Sequence, residues 1–293
     1  MILYRAVTFL IQNAQSTQCL LFASIVTSIW LTEKIALAQP AFVKLRHTSV
    51  NVLLMIAVLP IQLSMMLLCV SVAHWSASSH WGLIYVLPNG ESPWIKYGLM
   101  FIVLDFLDYV YHYIAHHVDT VWRFHLVHHT DQTVDVSTTF REHPGETFIR
   151  LCFLLFWIAL CGASVEVLIL RQTFETIANV SQHTVFRLPP RAARVMSWLF
   201  VTPNLHHAHH HFMTPGTNCN YGDVFSIWDR LFGTYVDLSE VDMVFGLDSH
   251  MESNSDAIYL LGLGFHSLRF WRATDAVQSK PPEVRVRANV ERR

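Results

Sequence analysis

The run Asp105–Asp131, DFLDYVYHYIAHHVDTVWRFHLVHHTD, decides the fold. It starts as the end of an apolar helix and turns into histidine. His112 and His116 stand four apart, and His125, His128 and His129 fall at i, i+3 and i+4, spacings that put side chains on one helix face. The pattern returns downstream as His206, His209 and His210, with His183 between. Thirteen of the 18 histidines lie between His112 and His211, and these nine hold ligand-like spacings. Neutral imidazole is the commonest protein metal ligand, so several rings aimed at one point read as a metal site. The grouping predicts a two-metal centre.

Outward from that run, the composition is that of a membrane protein. The chain has 293 residues, 52% hydrophobic and only 14% charged, with a mean hydropathy of +0.33, too apolar for an ordinary soluble domain. A formal net charge of -2 leaves no basic field to hold nucleic acid, which sets that partner class aside. The five cysteines contain no C-x-x-C. Cys19, Cys69, Cys152 and Cys161 sit in apolar runs and Cys219 in a polar loop, so neither a disulfide framework nor a zinc ribbon is indicated.

The expected architecture is all-α: a polytopic membrane helical bundle of about four transmembrane helices, the last two a hairpin, with a cytoplasmic His-box metal domain. Apolar stretches at Thr17–Leu31, Val50–Ala73 and Ile95–Ala115 supply the first helices, with Pro60 as a kink site. Ala36-Leu37-Ala38 resembles a signal-peptidase site, but Glu33 and Lys34 separate it from the apolar stretch, which argues against cleavage. Lys34, Lys44, Arg46, Arg123 and Arg141 fall to one side of the membrane and mainly Arg5 and Lys96 to the other. The positive-inside bias then puts the His boxes at the cytoplasmic face and the N-terminus outside.

His183 and the His206 cluster must meet the earlier boxes on that side, which demands an even number of crossings after Glu146. Thr147–Cys161 can enter, Gly162-Ala163 can turn, Ser164 can cap, and Val165 onward can return, delivering His183. Arg171, Gln172 and Glu175 on the returning arm are expected to face protein, because lipid would leave them unpaired. Arg187, Arg191 and Arg194 mark a cytoplasmic segment near phospholipid head groups. Ala257–Trp271 reads as an interfacial lid or tunnel wall and Lys280–Arg293 as a charged tail. The implied division is 1–81 for the N-terminal transmembrane helices, 82–240 for the catalytic region and 241–293 for the interfacial segment and tail.

Other residues are candidates for supporting roles. His117, His207 and His211 each neighbour a better-phased ring and would point elsewhere on a helix. His143 lacks a spaced partner and could serve as ligand, as support for one, or as a helix cap. Asn179 lies four residues before His183, so a helix would set its amide beside that imidazole, facing the metals directly or through water. Ligating imidazoles need their other N–H held by an acceptor. Asp105 and Asp108 precede His112 on its helical face, and Asp131, Glu142, Glu146 and Asp229 lie near other boxes.

The opening run, together with SQHTVFRLP around His183, TPNLHHAHH from Thr202 and NYGDVFSIWDRLFGTY from Asn220, resembles the fatty-acid hydroxylase and sterol desaturase superfamily over roughly Gly82–Tyr235. The resemblance implies a non-haem di-iron centre, two Fe held by the nine histidines, at the cytoplasmic end of a helical bundle. It implies O2 as co-substrate and a lipid chain or sterol-like substrate that is hydroxylated or desaturated. Some members carry a second paired histidine near His183, where this chain has Asn179. The resemblance also implies an external electron donor of ferredoxin or cytochrome type with a reductase, and the chain shows neither a Gly-rich nucleotide loop nor a Cys-based cluster motif. Spacing does not select the metal, since imidazole suits iron, zinc and copper alike. A zinc-dependent membrane hydrolase and a metal transporter or buffer therefore stay open, although a transporter needs polar groups at mid-bilayer rather than at one face.

Overall fold

A computed structural model describes residues 14–87, 92–212, 216–238, 243–247 and 255–265. Among these residues the regular structure is helical: α1 (Ala14–Ala36), α2 (Ala41–Ser79), α3 (Pro93–His117), α4 (Asp119–His129), α5 (Pro144–Cys161), α6 (Val165–Gln182), α7 (Pro190–Met196), α8 (Pro203–His209), α9 (Ile227–Phe232) and α10 (Ala257–Leu263). Short 3-10 turns cover Leu83–Val86, Val136–Phe140 and Gly216–Asn218. Extended pairing is confined to two isolated bridges, Phe200 with Phe225 and His211 with Phe245.

The long helices α2, α3, α5 and α6 lie side by side. At one end Trp81 Nε1 donates to the Ala159 carbonyl at 2.9 Å, and the turn between α5 and α6 meets the turn after α2. Gly162 closes α5 at φ +76°, and a Cβ on Gly82 would stand 2.4 Å from the Gly162 Cα, so both positions require glycine. The opposite end collects His112 of α3, Glu146 of α5 and His183 just after α6. Between the ends, Ala73, Leu104, Leu154 and Ile158 form part of one apolar core. Leu63 and Leu67 of α2 and Phe156 of α5 point outward and are exposed, as a helix surrounded by lipid allows.

Three helical stretches among the described residues are long and apolar enough to cross a membrane: Ala41–Val86, Trp94–His117 and Pro144–Cys161. These are three of the about four crossings that the sequence leads one to expect. The turn at Gly162 and the returning helix α6 are present; α6, which carries Glu166, Arg171 and Glu175, is not among the three. Glu166 is exposed, but the other two face protein: Arg171 holds Asp108 through two bonds of 2.7 and 2.5 Å and Glu175 at 2.9 Å. Ser164 precedes α6 without a side-chain capping bond.

Two further expectations change. The second helix runs well beyond Val50–Ala73 at both ends, with Pro60 inside it. Lys44 is therefore not a loop cation but a buried helical residue, 3.0 Å from Glu33 and 2.9 Å from Asp135. Ala257–Leu263 is a single short helix whose Leu260 and Leu263 cover Leu54, Trp122 and Leu126 beside the boxes. The remainder of the expected Ala257–Trp271 segment and the Lys280–Arg293 tail lie outside the described residues.

Candidate metal centre

Local sequence explains how each ring arrives. α3 ends on His112 and His116, and Val118 breaks the chain into α4, which carries His125, His128 and His129. Thr202 caps α8 through its hydroxyl, starting a short helix that presents His206 and His209, with His210 as its terminal cap. His183 caps the C-terminus of α6.

These elements bring the nine histidines into two groups. His112, His116, His125, His129 and His209 form one, and His128, His183, His206 and His210 the other, with ligand atoms inside each group no more than 4.8 Å apart. In the first group all five Nε2 atoms are buried without a hydrogen-bond partner. Nδ1 is engaged in four of these rings: His112 donates to the Tyr221 carbonyl at 3.0 Å, His209 to the Cys219 carbonyl at 2.6 Å, His125 to Glu146 Oε1 at 2.5 Å, and His116 to Asn218 Oδ1 at 3.4 Å. A ring whose Nδ1–H is donated outward keeps an Nε2 lone pair facing inward.

The second group makes the same point by repulsion. His128 donates from Nδ1 to the Arg141 carbonyl at 3.1 Å, and His183 from Nδ1 to the Asn179 carbonyl at 2.8 Å. Both Nε2 atoms are then acceptors, yet they stand 3.2 Å apart, with His206 Nε2 3.0 Å from His183 and His210 Nε2 3.1 Å from His206. Lone pairs at that separation repel unless a cation lies among them. Burial, reinforced by neighbouring imidazoles, holds His128, His129, His206 and His210 well below their ordinary pKa. Burial likewise lowers His183 to about 4 and His209 to about 3. Burial thus favours neutral rings, the form in which imidazole binds a metal. The donor set fits two ions, one per group.

The other sequence candidates stand apart from both groups. His117 is exposed, stacks on Tyr113 and donates to the Tyr113 carbonyl at 2.8 Å. His207 bonds the Thr184 carbonyl at 2.9 Å, and burial followed by Arg187 lowers it to about 3. His211 accepts from Val244 N at 3.3 Å. His143 caps α5, accepting from Gly145 N at 2.9 Å and donating to the Leu261 carbonyl at 3.0 Å. Asn179 reaches His183 with its carbonyl rather than its amide, whose Oδ1 has no partner. Neither Asp105 nor Asp108 meets His112: Asp105 accepts from Val224 N and Trp228 Nε1 at 3.1 and 2.7 Å, and Asp108 pairs with Arg171. Asp229 accepts from Tyr221 N at 2.7 Å, and so steadies the residue whose carbonyl holds His112.

Several supports escaped the sequence reading. The carbonyls of Tyr221, Cys219 and Arg141 carry no side-chain signal. Burial pushes the Cys219 thiol up to about 12, so that residue contributes its carbonyl and not a thiolate. Fully buried Arg141 donates to the Val127 carbonyl, Asn51 Oδ1 and Thr130 Oγ1 at 3.0, 3.0 and 2.8 Å. Glu33 accepts from the backbone of both Val136 and Val185 at 3.1 Å. Burial works against the Asp131 charge, but His47 and Arg141 beside it hold its carboxyl far below the usual range.

A cavity of about 360 Å³ opens on both groups, touching His112 and His125 of one and His128, His183 and His206 of the other. Met55, Val58 and Leu59 of α2 line one side, and Glu142, Arg150 and Glu175 another.

Residues 97–234, which carry every ring of both groups, match the fatty acid hydroxylase family. Over this stretch the chain is similar to that family at the level of the family as a whole. Among curated relatives, an alkylglycerol monooxygenase of Xenopus tropicalis is 30% identical over 161 residues, 54% of this chain and 34% of that protein. An ornithine lipid hydroxylase of Rhizobium tropici is 30% identical over 136 residues, 46% of this chain and 40% of its own length. Methylsterol monooxygenase 1 of Rattus norvegicus is 29% identical over 135 residues, 46% of this chain and 44% of its own length. The chain thus matches less than half the length of each of these relatives. No solved structure matches it.

Proposed function

We propose that the protein is a membrane-embedded di-iron oxidoreductase that uses O2 to hydroxylate or desaturate an aliphatic or sterol-like lipid. The observation that carries this reading is the pair of inward-facing imidazole groups opening on one cavity, which Met55, Val58 and Leu59 also line. Its relatives, named for the oxidation of alkylglycerols, ornithine lipids and methylsterols, support a lipid substrate. His112, His116, His125, His129 and His209 would hold one metal, and His128, His183, His206 and His210 the other. Bound there, two irons would supply the oxidising power that removal of hydrogen from an unactivated carbon requires.

The chain's own residues do the rest. Nδ1–H donation to fixed carbonyls and to Glu146 keeps the lone pairs of His112, His125, His128, His183 and His209 aimed inward. Met55, Val58 and Leu59 offer a lipid chain an apolar wall beside the rings. In this reading α2, α3 and the α5–α6 hairpin supply the four crossings, the site lies at the cytoplasmic face, and electrons arrive from a separate ferredoxin or cytochrome-type donor. The division at 81 and 240 separates membrane anchor, catalytic region and interfacial tail.

The test is metal analysis combined with lipid mass spectrometry on the reconstituted protein. About two irons per chain, oxygen uptake and a lipid that gains one oxygen or loses two hydrogens are expected. Full turnover of an ester with zinc alone, and no oxygen uptake, would overturn the proposal.

A further inference from the structure

The end of α7, the segment after it and the helix α9 carry an apolar surface that the metal site does not use. Val195, Trp198, Leu231 and Phe232 are 72%, 66%, 66% and 57% exposed. They belong to one unit. Ser226 N donates to the Leu199 carbonyl and Val201 N to the Val224 carbonyl, each at 3.0 Å. Arg230 lies 4.3 Å over the Trp198 ring while donating to the Ser197 carbonyl at 3.0 Å.

That unit is fastened to the side of α3, well below the boxes. Asp105 takes Val224 N and Trp228 Nε1, and Phe106 packs on Trp228 and Phe232 with ring centroids 5.0 and 5.7 Å apart. Along α3, Asp105 stands about 10 Å before His112 and about 16 Å after Trp94. A bilayer's hydrocarbon core is about 30 Å thick, so a helix crossing it from Trp94 toward the boxes carries Asp105 inside it. Whatever Asp105 binds shares that depth.

Irregular backbone survives at such depth only where protein satisfies its polar groups. Here protein does. Asp105 serves Val224 N, and buried Asp229 accepts from Tyr221 N, Gly222 N and Thr234 Oγ1 at 2.7, 2.9 and 2.7 Å. Arg230, the cation of α9, is sandwiched between the rings of Trp198 and Tyr235, the latter at 3.8 Å. The outward face is apolar, and exposed Arg191 and Arg194 stand just before it, placed to reach the phosphate level.

We propose that Val195–Phe200 and α9 lie in the bilayer hydrocarbon beside α3, a re-entrant shoulder of the catalytic region with lipid acyl chains against Trp198, Leu231 and Phe232. The cationic run ending at Arg194 stays at head-group level, and the residues after it go deeper. The inference rests on α3 being a span, and its test separates the two. Nitroxide labels are placed at Leu231→Cys, Trp198→Cys, Ile102→Cys on the exposed side of α3, and Arg191→Cys, in the full chain in lipid nanodiscs, with the parent's own labelling subtracted. Collision with oxygen and with a water-soluble nickel chelate is read by power saturation. The expected result is an oxygen-to-nickel ratio at Leu231 and Trp198 several-fold above that at Arg191 and close to that at Ile102. Nickel access at Leu231 and Trp198 matching Arg191, with Ile102 in lipid, overturns the shoulder alone. Low collision with both agents at Leu231 and Trp198 overturns it in favour of cover by protein, such as a second copy. Nickel access at Ile102 overturns the span on which it rests.

Discussion

The two histidine groups use one residue type on different supports. The first has five rings, drawn from α3, α4 and α8, and their outer nitrogens are held by nearby carbonyls and by Glu146. The second has four rings, one of them the terminal cap of α6 and another the cap of the short helix α8. Its backing reaches far along the chain. Arg141, whose carbonyl holds His128, is anchored to Asn51 of α2, and Glu33 of α1 holds the backbone at Val136 and Val185. Lys44 neutralises Glu33 and Asp135 there, in a fully buried pairing. One group is thus secured by helices that form locally, the other by an ionic knot that exists only once the N-terminal helices have docked.

The sharpest break of that contrast is ligand removal. His183→Ala leaves three rings and should take iron from about two toward about one per chain with loss of lipid oxidation, whereas His116→Ala leaves four rings and should retain more metal. Equal metal losses would erase the distinction. Next comes the knot. Lys44→Met strands the charges of Glu33 and Asp135 and should cost about 3–5 kcal/mol in thermal unfolding, with the second group's metal released first. Simultaneous loss from both groups would show that the knot does not favour one.

Glu146→Ala removes the acceptor on His125 and should weaken the first group's metal affinity about 10–100-fold in chelator competition, leaving the second unchanged. Acid should act on both. Burial lowers His183 to about 4 and His207 and His209 to about 3 from 6.5. Above pH 6.5 neither the folded nor the unfolded chain binds these protons. As pH falls from about 6.5 to about 4, the unfolded chain takes them up and the folded one refuses, so metal-free stability drops by about 1.4 kcal/mol per pH unit per histidine. The loss from His207 and His209 continues to about pH 3. Denaturant unfolding at pH 7 and 5 checks the slope. The smallest effect belongs to His117→Ala, outside both groups: stability within about 0.5 kcal/mol of the parent and metal content unchanged.

The rings were legible because helical periodicity is a local rule. His125, His128 and His129 share a face whatever surrounds them, and the turn at Gly162 followed from needing His183 beside them. Charge was less legible. Lys44 and Arg141 look like loop cations at a membrane surface, yet both are buried, because each finds partners more than 85 residues away in sequence, Asp135 for one and Asn51 for the other. Asp105 and Asp108 have the spacing to support His112, but a backbone amide, an indole and Arg171 claim them.

By itself the sequence determined the helical class, the apolar spans and which nine imidazoles share faces, since hydropathy and a 3.6-residue period are properties of short segments. Only the tertiary structure decided how those faces divide into a group of five and a group of four, and which carbonyls and distant charges hold them. Those partners are main-chain atoms and long-range ion pairs, and no local pattern encodes where the fold will bring them.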